Sequence, residues 1–241
     1  NRALQAIRSV PGVAAAGGTT LIPLSGNHSD GVILAEGYRM NPGESLVSPM
    51  QVSVTPGYFE AMSTPLVRGR YFDDHDNETN PRVVIVDERL ARKFWSDADP
   101  IGKRMYKPMN PREIFKIDEN TRWLTVVGVV REVQLEDLAG RPGTVGAYYY
   151  PAAQSVPRGM VVAIKTTTDP AVVLNTVRAE LKKLDPAMPV SNVRTMSQYT
   201  ALSLMPRRAA MLLATSFAVI SLFLAAIGVY GVISYSVARR T

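Results

Sequence analysis

The sequence predicts an α+β soluble domain that is followed by a single membrane-spanning helix. Residues 209–238 contain no charged residue, and pairs of arginines stand directly before and after this run. Residues 1–206 instead mix charged residues with short runs rich in valine and isoleucine, bounded by glycine, proline and polar residues as strands are. Helical patterns lie between these runs, and one stretch, 160–195, has the order strand, helix, strand. Mixed elements of this kind indicate the α+β class.

The composition excludes several classes of function. Residues 1–206 are numerous enough for a sizeable core. The chain has no cysteine, which excludes thiol catalysis, disulfides and cysteine-ligated zinc. Its net charge is +6, but the basic residues are scattered singly and in pairs, which favours a solvated surface over a nucleic-acid interface. Because the chain begins with Asn1 inside an apparent helix end, we expect it to be a piece of a larger protein.

The first half of the soluble part is predicted to alternate strands with short helices. A helix over residues 1–9 ends at a proline–glycine pair. Thr55 is predicted to cap a short helix over 56–62, with Pro56 at its first position. A second helix, 87–95, has acids in its first turn and bases in its last. Strands are expected at 13–20, 32–36, 47–55, 82–86, 123–130 and 145–150.

The clearest predicted unit is the β–α–β stretch near the end of the soluble part. A strand over 160–164 precedes a helix that Asp169 caps, with Pro170 at the first position. A second strand is expected at 190–195. The apolar face of the helix is predicted to consist of Leu174, Val177, Leu181 and Leu184.

The acidic cluster at residues 73–78 is the one stretch that partly resembles a metal loop. Asp74, Asp76 and Glu78 have the spacing of the first calcium ligands of an EF-hand. Thr79 and Ile85, however, stand where that loop requires glycine and glutamate. We therefore favour a solvated polar loop over a metal site.

No other pattern predicts an active site. His28 and His75 lie in separate polar loops, no nucleophile-elbow motif accompanies them, and no glycine-rich phosphate loop is present. We accordingly assign no catalytic, cofactor-binding or metal-binding residue and expect no enzymatic activity in this chain. Residues 148–150 are three consecutive tyrosines. They fit either a sugar- or lipid-facing patch or, as we favour, a strand end whose alternate tyrosines are buried.

The uncharged run is longer than a membrane requires. Its roughly 30 residues would extend on the order of 45 Å as a helix, against about 30 Å of hydrocarbon core. The excess allows tilt or a stalk outside the membrane, and we expect the helix that starts at Ser197 to break or reset at Pro206. Small side chains recur every three or four residues, which favours an interface with another helix over mere composition. They are Ala214, Ala218, Ser221, Ala225, Gly228 and Gly231.

Several stretches together resemble a known family. They are VTPGYF at 54–59 followed by GRYF at 69–72, VIVDE at 84–88 followed by DPIGK at 99–103, VVGVV at 126–130, LDP at 184–186, IGVYGV at 227–232 and VARRT at 237–241. With these motifs in this order, the chain resembles a MacB-like periplasmic core domain joined to an FtsX-like permease segment. It is most similar to the duplicated permeases of acidobacteria, which lack a fused ATPase.

The resemblance implies an architecture and a set of partners. Residues 1–206 would form the periplasmic domain, with a porter-like βαβ subdomain from 1–45 and 158–200 and a smaller inserted mixed or β subdomain from 46–157. Residues 207–241 would be a transmembrane helix that starts the permease domain in the bacterial inner membrane. The partners would be a separate ABC-type ATPase, other transmembrane helices of a dimeric or pseudo-dimeric permease and membrane lipid, with no nucleic acid. The shared motifs are structural, so no site residue is carried over.

Two hypotheses on function follow. In the first, the chain is a fragment of an ABC transporter permease whose periplasmic domain is coupled through transmembrane helices to ATP hydrolysis in the cytoplasm, for efflux or mechanotransmission. The alternative is a membrane-anchored periplasmic sensor or ligand-binding module. Two arginines stand on each side of the uncharged run, so the positive-inside rule favours neither orientation of the helix. The expected orientation therefore rests on the resemblance. The length of the complete reading frame would separate the two hypotheses.

Overall fold

The chain divides into two compact units, Asn1–Thr195 and Met196–Thr241. The computed structural model describes residues 2–25, 29–96, 98–108, 114–133, 135, 145–155, 157, 159–187 and 190–238, with the backbone alone described at 206–209 and 231–238. The second unit is a single helix, and the first carries all the strands that the structure describes.

Nine strands and four α-helices make up the described part of the first unit. The strands are β1 (Val13–Thr19), β2 (Leu34–Ala35), β3 (Met50–Val54), β4 (Leu66–Gly69), β5 (Val83–Asp87), β6 (Arg104–Tyr106), β7 (Trp123–Val130), β8 (Ala147–Pro151) and β9 (Val161–Thr166). The helices are α1 (Arg2–Arg8), α2 (Tyr58–Ala61), α3 (Glu88–Trp95) and α4 (Pro170–Leu184). These elements confirm the predicted α+β class.

All the strands belong to one mixed sheet. Its order is β2-β6-β7-β5-β8-β3-β1-β9, and β4 pairs with β7 beside this path. The pairs β3–β8 and β5–β7 are parallel, and the remaining pairs are antiparallel. The predicted division into a porter-like subdomain (1–45 and 158–200) and an inserted subdomain (46–157) stays a prediction.

Residues 29–36 close part of this sheet into a small barrel. On one side they bond to β3 and the residues before it: Gln51 N donates to Ser29 O at 2.7 Å, and Ile33 N donates to Val47 O at 3.1 Å. On the other side β2, which lies within this stretch, pairs with β6. Residues 29–36 thus bond to both β3 and β6. They complete a closed ring of strands in the order β6, β7, β5, β8 and β3.

Three clusters of buried side chains stabilise the first unit. The first fills the barrel and includes Ile33, Val84, Val86, Met105 and Val126, with α3 covering one end through Leu90, Ala91 and Phe94. The second lies on the outer face of β3, β5 and β8 and joins them to α2 through Tyr58 and Phe59. The third packs α1 and α4 against β1 through Ile7, Val10, Ala16, Val173, Val177 and Leu181.

The predicted cap of α2 is wrong. The helix begins at Tyr58, not Pro56, and its N-cap is Gly57, which makes no side-chain capping bond. The Thr55 hydroxyl instead accepts a hydrogen bond from Gly18 N at 2.7 Å. This bond joins the residue after β3 to β1, so the Thr55 hydroxyl stabilises the sheet and does not cap the helix.

The predicted β–α–β unit is only half confirmed. Strand β9 and helix α4 form as expected, and Asp169 caps α4 by accepting from Ala171 N at 2.8 Å, with Pro170 first in the helix. The second strand is wrong, because the described residues 190–195 form none. Asn192 has a φ of 56°, a left-handed conformation that an extended strand does not contain.

The apolar face of α4 is shifted from the predicted one. The helix buries Val173, Val177 and Leu181, whereas Leu184 is 46% exposed. The sequence pattern therefore identified two of the three buried positions. The third is Val173, which packs with Ile7, Val10 and Ala16, whereas Leu174 is only partly buried.

The second unit is one long helix, α5 (Met196–Ala238), of 43 residues. The predicted break at Pro206 is wrong, since the helical backbone continues through that position. A proline removes one backbone hydrogen bond, a small share of those that a helix of this length contains. Among the described residues, Met196–Tyr230 is long and apolar enough to span a membrane; its most apolar 18-residue window has a mean hydropathy of 2.4, and no residue of that window is buried.

Candidate functional site at the barrel mouth

A group of polar and aromatic side chains gathers around Lys107, which follows β6 at the end of the barrel opposite α3. Strand β5 leads directly into α3, and β7 runs parallel to β5, so both strands end beside α3. Strand β6 runs antiparallel to β7, so it ends at the opposite side of the barrel. The C-terminal ends of β8 and β3 point the same way as that of β6. We call this group the barrel mouth; it consists of Ser29, Gln51, Lys107, Tyr148 and Tyr150.

The Gln51 amide organises the barrel mouth. Its Oε1 accepts from Lys107 Nζ at 2.6 Å and from the Tyr148 hydroxyl at 2.8 Å. Its Nε2 donates to Ser29 Oγ at 3.2 Å. Register explains part of this arrangement, because Gln51 on β3 lies directly beside Tyr148 on β8. The amide thus joins three separate segments of the chain.

The Lys107 ammonium faces two aromatic rings. Its Nζ lies 5.4 Å from the ring centroid of Tyr148 and 5.5 Å from that of Tyr150, distances at which a cation is attracted to the ring face. Within the described part of the chain, no carboxylate forms an ion pair with it. Burial of the ammonium lowers the pKa of Lys107.

Both tyrosines keep their hydroxyl protons at neutral pH. Burial raises the pKa of Tyr148, and the nearby Tyr150 and Asp30 raise it further. Burial also raises the pKa of Tyr150. The Tyr148 hydroxyl already donates to Gln51, so Tyr150 supplies the neutral hydroxyl that can donate to an acceptor beside the Lys107 cation.

One buried hydroxyl beside the barrel mouth has no partner. Ser53 lies two residues beyond Gln51 on β3, so its side chain is on the same face of the strand. It is in register with Tyr150 and is 0% exposed. Among the described residues its Oγ is the buried side-chain atom that lacks a hydrogen bond. Such atoms are rare in folded proteins and call for an explanation.

Sequence reasoning found only the tyrosines of this site. The expectation that alternate tyrosines are buried was too narrow, since Tyr148 and Tyr149 are both at most 1% exposed. The reason is that β8 is covered on both faces, by the barrel interior and by the cluster around α2. Nothing in the local sequence marked Gln51 or Lys107, because the strand order alone brings these residues together.

The acidic cluster at 73–78 is organised by an arginine. Arg70 donates to both carboxylate oxygens of Asp76 at 2.7 Å, and Asp76 is only 4% exposed. The same carboxylate accepts from Asp73 N at 3.0 Å. Asp76 is the middle residue of the calcium-like spacing, and its carboxylate oxygens are already bonded to Arg70 and to the backbone of the loop. Within the described residues, no group of acids and histidines is arranged to hold a metal ion.

Replacing Arg70 by lysine should destabilise the first unit by about 1.5–3 kcal/mol, the size of a lost hydrogen bond to a charged group. Lysine keeps the charge but cannot form the bidentate pair with Asp76. Urea unfolding followed by tryptophan fluorescence would measure the loss. Arg68→Lys is the matched control, since Arg68 pairs with Asp99 at 3.9 Å between exposed side chains. Equal stability of the two variants would contradict the structural role.

The remaining sequence-predicted residues do not form a site. His75 is exposed and lies 3.2 Å from Asp73, while His28 is outside the described residues. The small residues of α5 are exposed up to Gly228, and the side-chain environment of Gly231 is outside the described part. Among the described residues, none covers this face of α5.

The comparisons with known proteins agree with the fold. The family described as the MacB-like periplasmic core domain matches residues 2–184. The macrolide export ATP-binding/permease proteins MacB of Neisseria gonorrhoeae and Neisseria meningitidis are 33% identical over 66 residues, which are 26% of this chain and 10% of theirs. The chain thus matches about a tenth of the length of these curated relatives.

Two solved structures are also similar. The periplasmic region of MacB from Actinobacillus actinomycetemcomitans has a TM-score of 0.50 and 17% identity, over 76% of this chain and 72% of that one. The extracellular domain of the noncanonic ABC-type transporter YknZ from Gram-positive bacteria has a TM-score of 0.47 and 15% identity, over 78% and 84%. The first of these comparisons supports the fold alone.

Proposed function

Because the chain belongs to the family of MacB-like periplasmic core domains of ABC-type transporter permeases, we propose that its first unit is mechanically coupled to ATP hydrolysis by a separate cytoplasmic ATPase. In this proposal α5 crosses the bacterial inner membrane, and residues 1–206 lie in the periplasm. The coupled work is efflux or mechanotransmission on an extracytoplasmic molecule, and the chain itself performs no catalysis.

The observation that carries this proposal is the continuity of α5. The helix starts at Met196, directly after the last residue of the first unit, and runs without a break to Ala238. Its 43 residues would extend roughly 65 Å at about 1.5 Å per residue, twice the thickness of a hydrocarbon core. A continuous helix can transmit displacement or rotation along its axis, whereas a flexible linker would absorb it.

The small residues of α5 supply a surface for the neighbouring helices that such a permease would contain. Ala214, Ala218, Ser221, Ala225, Gly228 and Gly231 follow one another at spacings of three or four residues. Small side chains let helix backbones approach closely in lipid. We propose that another transmembrane helix of a dimeric or pseudo-dimeric permease packs on this face and that lipid covers the rest.

The coupling is tested with the intact protein and its ATPase, purified together in lipid nanodiscs. Replacing Thr200, Ala201 and Leu202 by glycine weakens the helix by roughly 2 kcal/mol in total before the apolar run begins, most of it from Ala201 and Leu202. This variant should change ATP hydrolysis by roughly fivefold, the effect of a coupling free energy of about 1 kcal/mol, and should match a variant that lacks residues 1–195.

The matched control replaces Thr200 and Leu202 by alanine, which removes the same side chains but preserves the helix. It should hydrolyse ATP at the wild-type rate. If neither the glycine variant nor deletion of the first unit alters hydrolysis, the coupling proposal is wrong.

The barrel mouth favours one alternative, a membrane-anchored ligand-binding module or sensor. In that case the first unit would bind its ligand with the same affinity whether or not the ATPase is present. The complete reading frame separates the two: several further membrane spans support the permease, whereas one span followed by a cytoplasmic signalling domain supports the sensor.

A further inference from the structure

We propose that the barrel mouth binds an organic anion, with a carboxylate or phosphate group against Lys107 and an apolar body against Tyr150. This inference rests on the geometry of the barrel mouth and does not depend on coupling to an ATPase. It names a class of ligand for the extracytoplasmic unit, which the family membership leaves open.

The preference for an anion follows from the hydrogen bonds of the ammonium group. A lysine ammonium has three N–H donors, and Lys107 uses one of them on Gln51 Oε1. That oxygen also accepts from the Tyr148 hydroxyl, so both of its lone pairs are engaged. The other donors of Lys107 face the tyrosine rings or solvent. The residue as a whole is solvent-exposed although its ammonium is partly desolvated, so an anion can reach it from outside.

The charge balance points the same way. Burial disfavours the cation, and within the described residues no carboxylate compensates it. The contrast with Lys93 is informative, because that lysine pairs directly with Glu44. An anion at Lys107 would provide the missing opposite charge and stabilise the ammonium. A cationic ligand would be repelled by the same group.

The aromatic and hydroxyl groups define the rest of the ligand. The rings of Tyr148 and Tyr150 lie 6.3 Å apart, and Tyr150 is half-buried, so part of its ring can contact an apolar group. Ser53, in register with Tyr150, has a hydroxyl donor that no described residue uses. A ligand that carries an anionic group next to an apolar ring would match this arrangement better than an inorganic ion.

The test uses the full chain in a neutral detergent, with lysine side chains labelled with carbon-13 and followed by NMR. Three probes are added in turn: benzoate, phenyl phosphate and the neutral benzamide. The Lys107 signal, assigned by its loss in Lys107→Gln, should shift and saturate with either anion at roughly millimolar affinity, and benzamide should leave it in place. A preference between the two anions identifies the head group.

Two variants make the result specific. Lys107→Gln should reduce binding of both anions at least about tenfold, the factor that corresponds to a loss of about 1.4 kcal/mol. Lys103→Gln, which removes a lysine at the other end of β6, should bind as the wild type does. Lys107→Arg keeps the charge and should retain binding, which separates loss of the site from loss of folding.

The proposal is overturned if the Lys107 signal responds equally to benzamide, if inorganic phosphate binds as tightly as phenyl phosphate, or if Lys107→Gln binds the anions unchanged. No ATPase is present in this experiment. Its failure would therefore leave the coupling proposal standing, and a failure of coupling would leave the anion site standing.

Discussion

Replacing Gly69 by alanine is expected to destabilise the first unit by about 3 kcal/mol or more, as overpacking against a rigid backbone does. Gly69 ends β4, where it pairs with Gly128 of β7, so two of the family-like motifs meet at this point. A side chain at Gly69 would place its Cβ 2.2 Å from the carbonyl oxygen of Val127. The backbone cannot yield without separating β4 from β7.

Gly37→Ala is the matched control for this effect. Gly37 has a φ of 75°, close to the 74° of Gly69, but no atom lies within 4 Å of a Cβ added there. Its replacement should cost only the strain of a left-handed conformation, about 1–2 kcal/mol. Both tryptophans, Trp95 and Trp123, belong to the first unit, so their fluorescence during urea unfolding measures its stability alone. Equal losses in the two variants would contradict the close approach of β4 and β7.

The stability of the first unit is expected to fall as the pH rises from about 4 to about 7, because of Asp87. This carboxyl is 1% exposed, and burial raises its pKa to about 7, although backbone donations from Leu90 and Ala147 oppose the rise. In the unfolded chain the same group loses its proton near the ordinary value of 3.8. Between these two values the folded chain binds more protons than the unfolded chain, so stability decreases with pH.

The full difference of about 3 pH units corresponds to about 4 kcal/mol at most. Urea unfolding at several values between about pH 4 and about pH 8 would measure the slope. At low pH, Asp87→Asn should be less stable than the wild-type protein. The amide nitrogen of asparagine would face either Leu90 N or Ala147 N, each of which donates to the Asp87 carboxyl at 2.8 Å. The variant should also lose most of the slope across this range. A slope that persists in Asp87→Asn would assign the pH dependence to other groups.

The local elements were predictable where neighbouring residues decide them. The predicted strand 123–130 has the same bounds as β7, and Asp169 with Pro170 starts α4 as expected. Capping and periodicity depend on residues a few positions apart, so they can be read directly from the sequence. The prediction for Thr55 failed for the opposite reason, since its hydroxyl bonds to Gly18, which is 37 positions away.

The candidate site could not be predicted in the same way. Gln51 and Lys107 are separated by 56 positions, and Gln51 and Tyr148 by 97. Their contact requires that residues 29–36 bridge β3 and β6, and no local pattern encodes that closure. The sequence identified the tyrosines because three in a row are unusual, but it left their surroundings open.

The α+β class, most strands and helices, the apolar span and the resemblance to the periplasmic core domain family could be read from the amino-acid order. The closure of the barrel, the partner of Thr55, the absence of a strand at 190–195 and the contact of Lys107 with Gln51 became visible only in the folded chain. The difference arises from the range of the interactions. Periodicity, capping and hydrophobic length act over a few residues, whereas strand order joins residues that lie far apart in the chain.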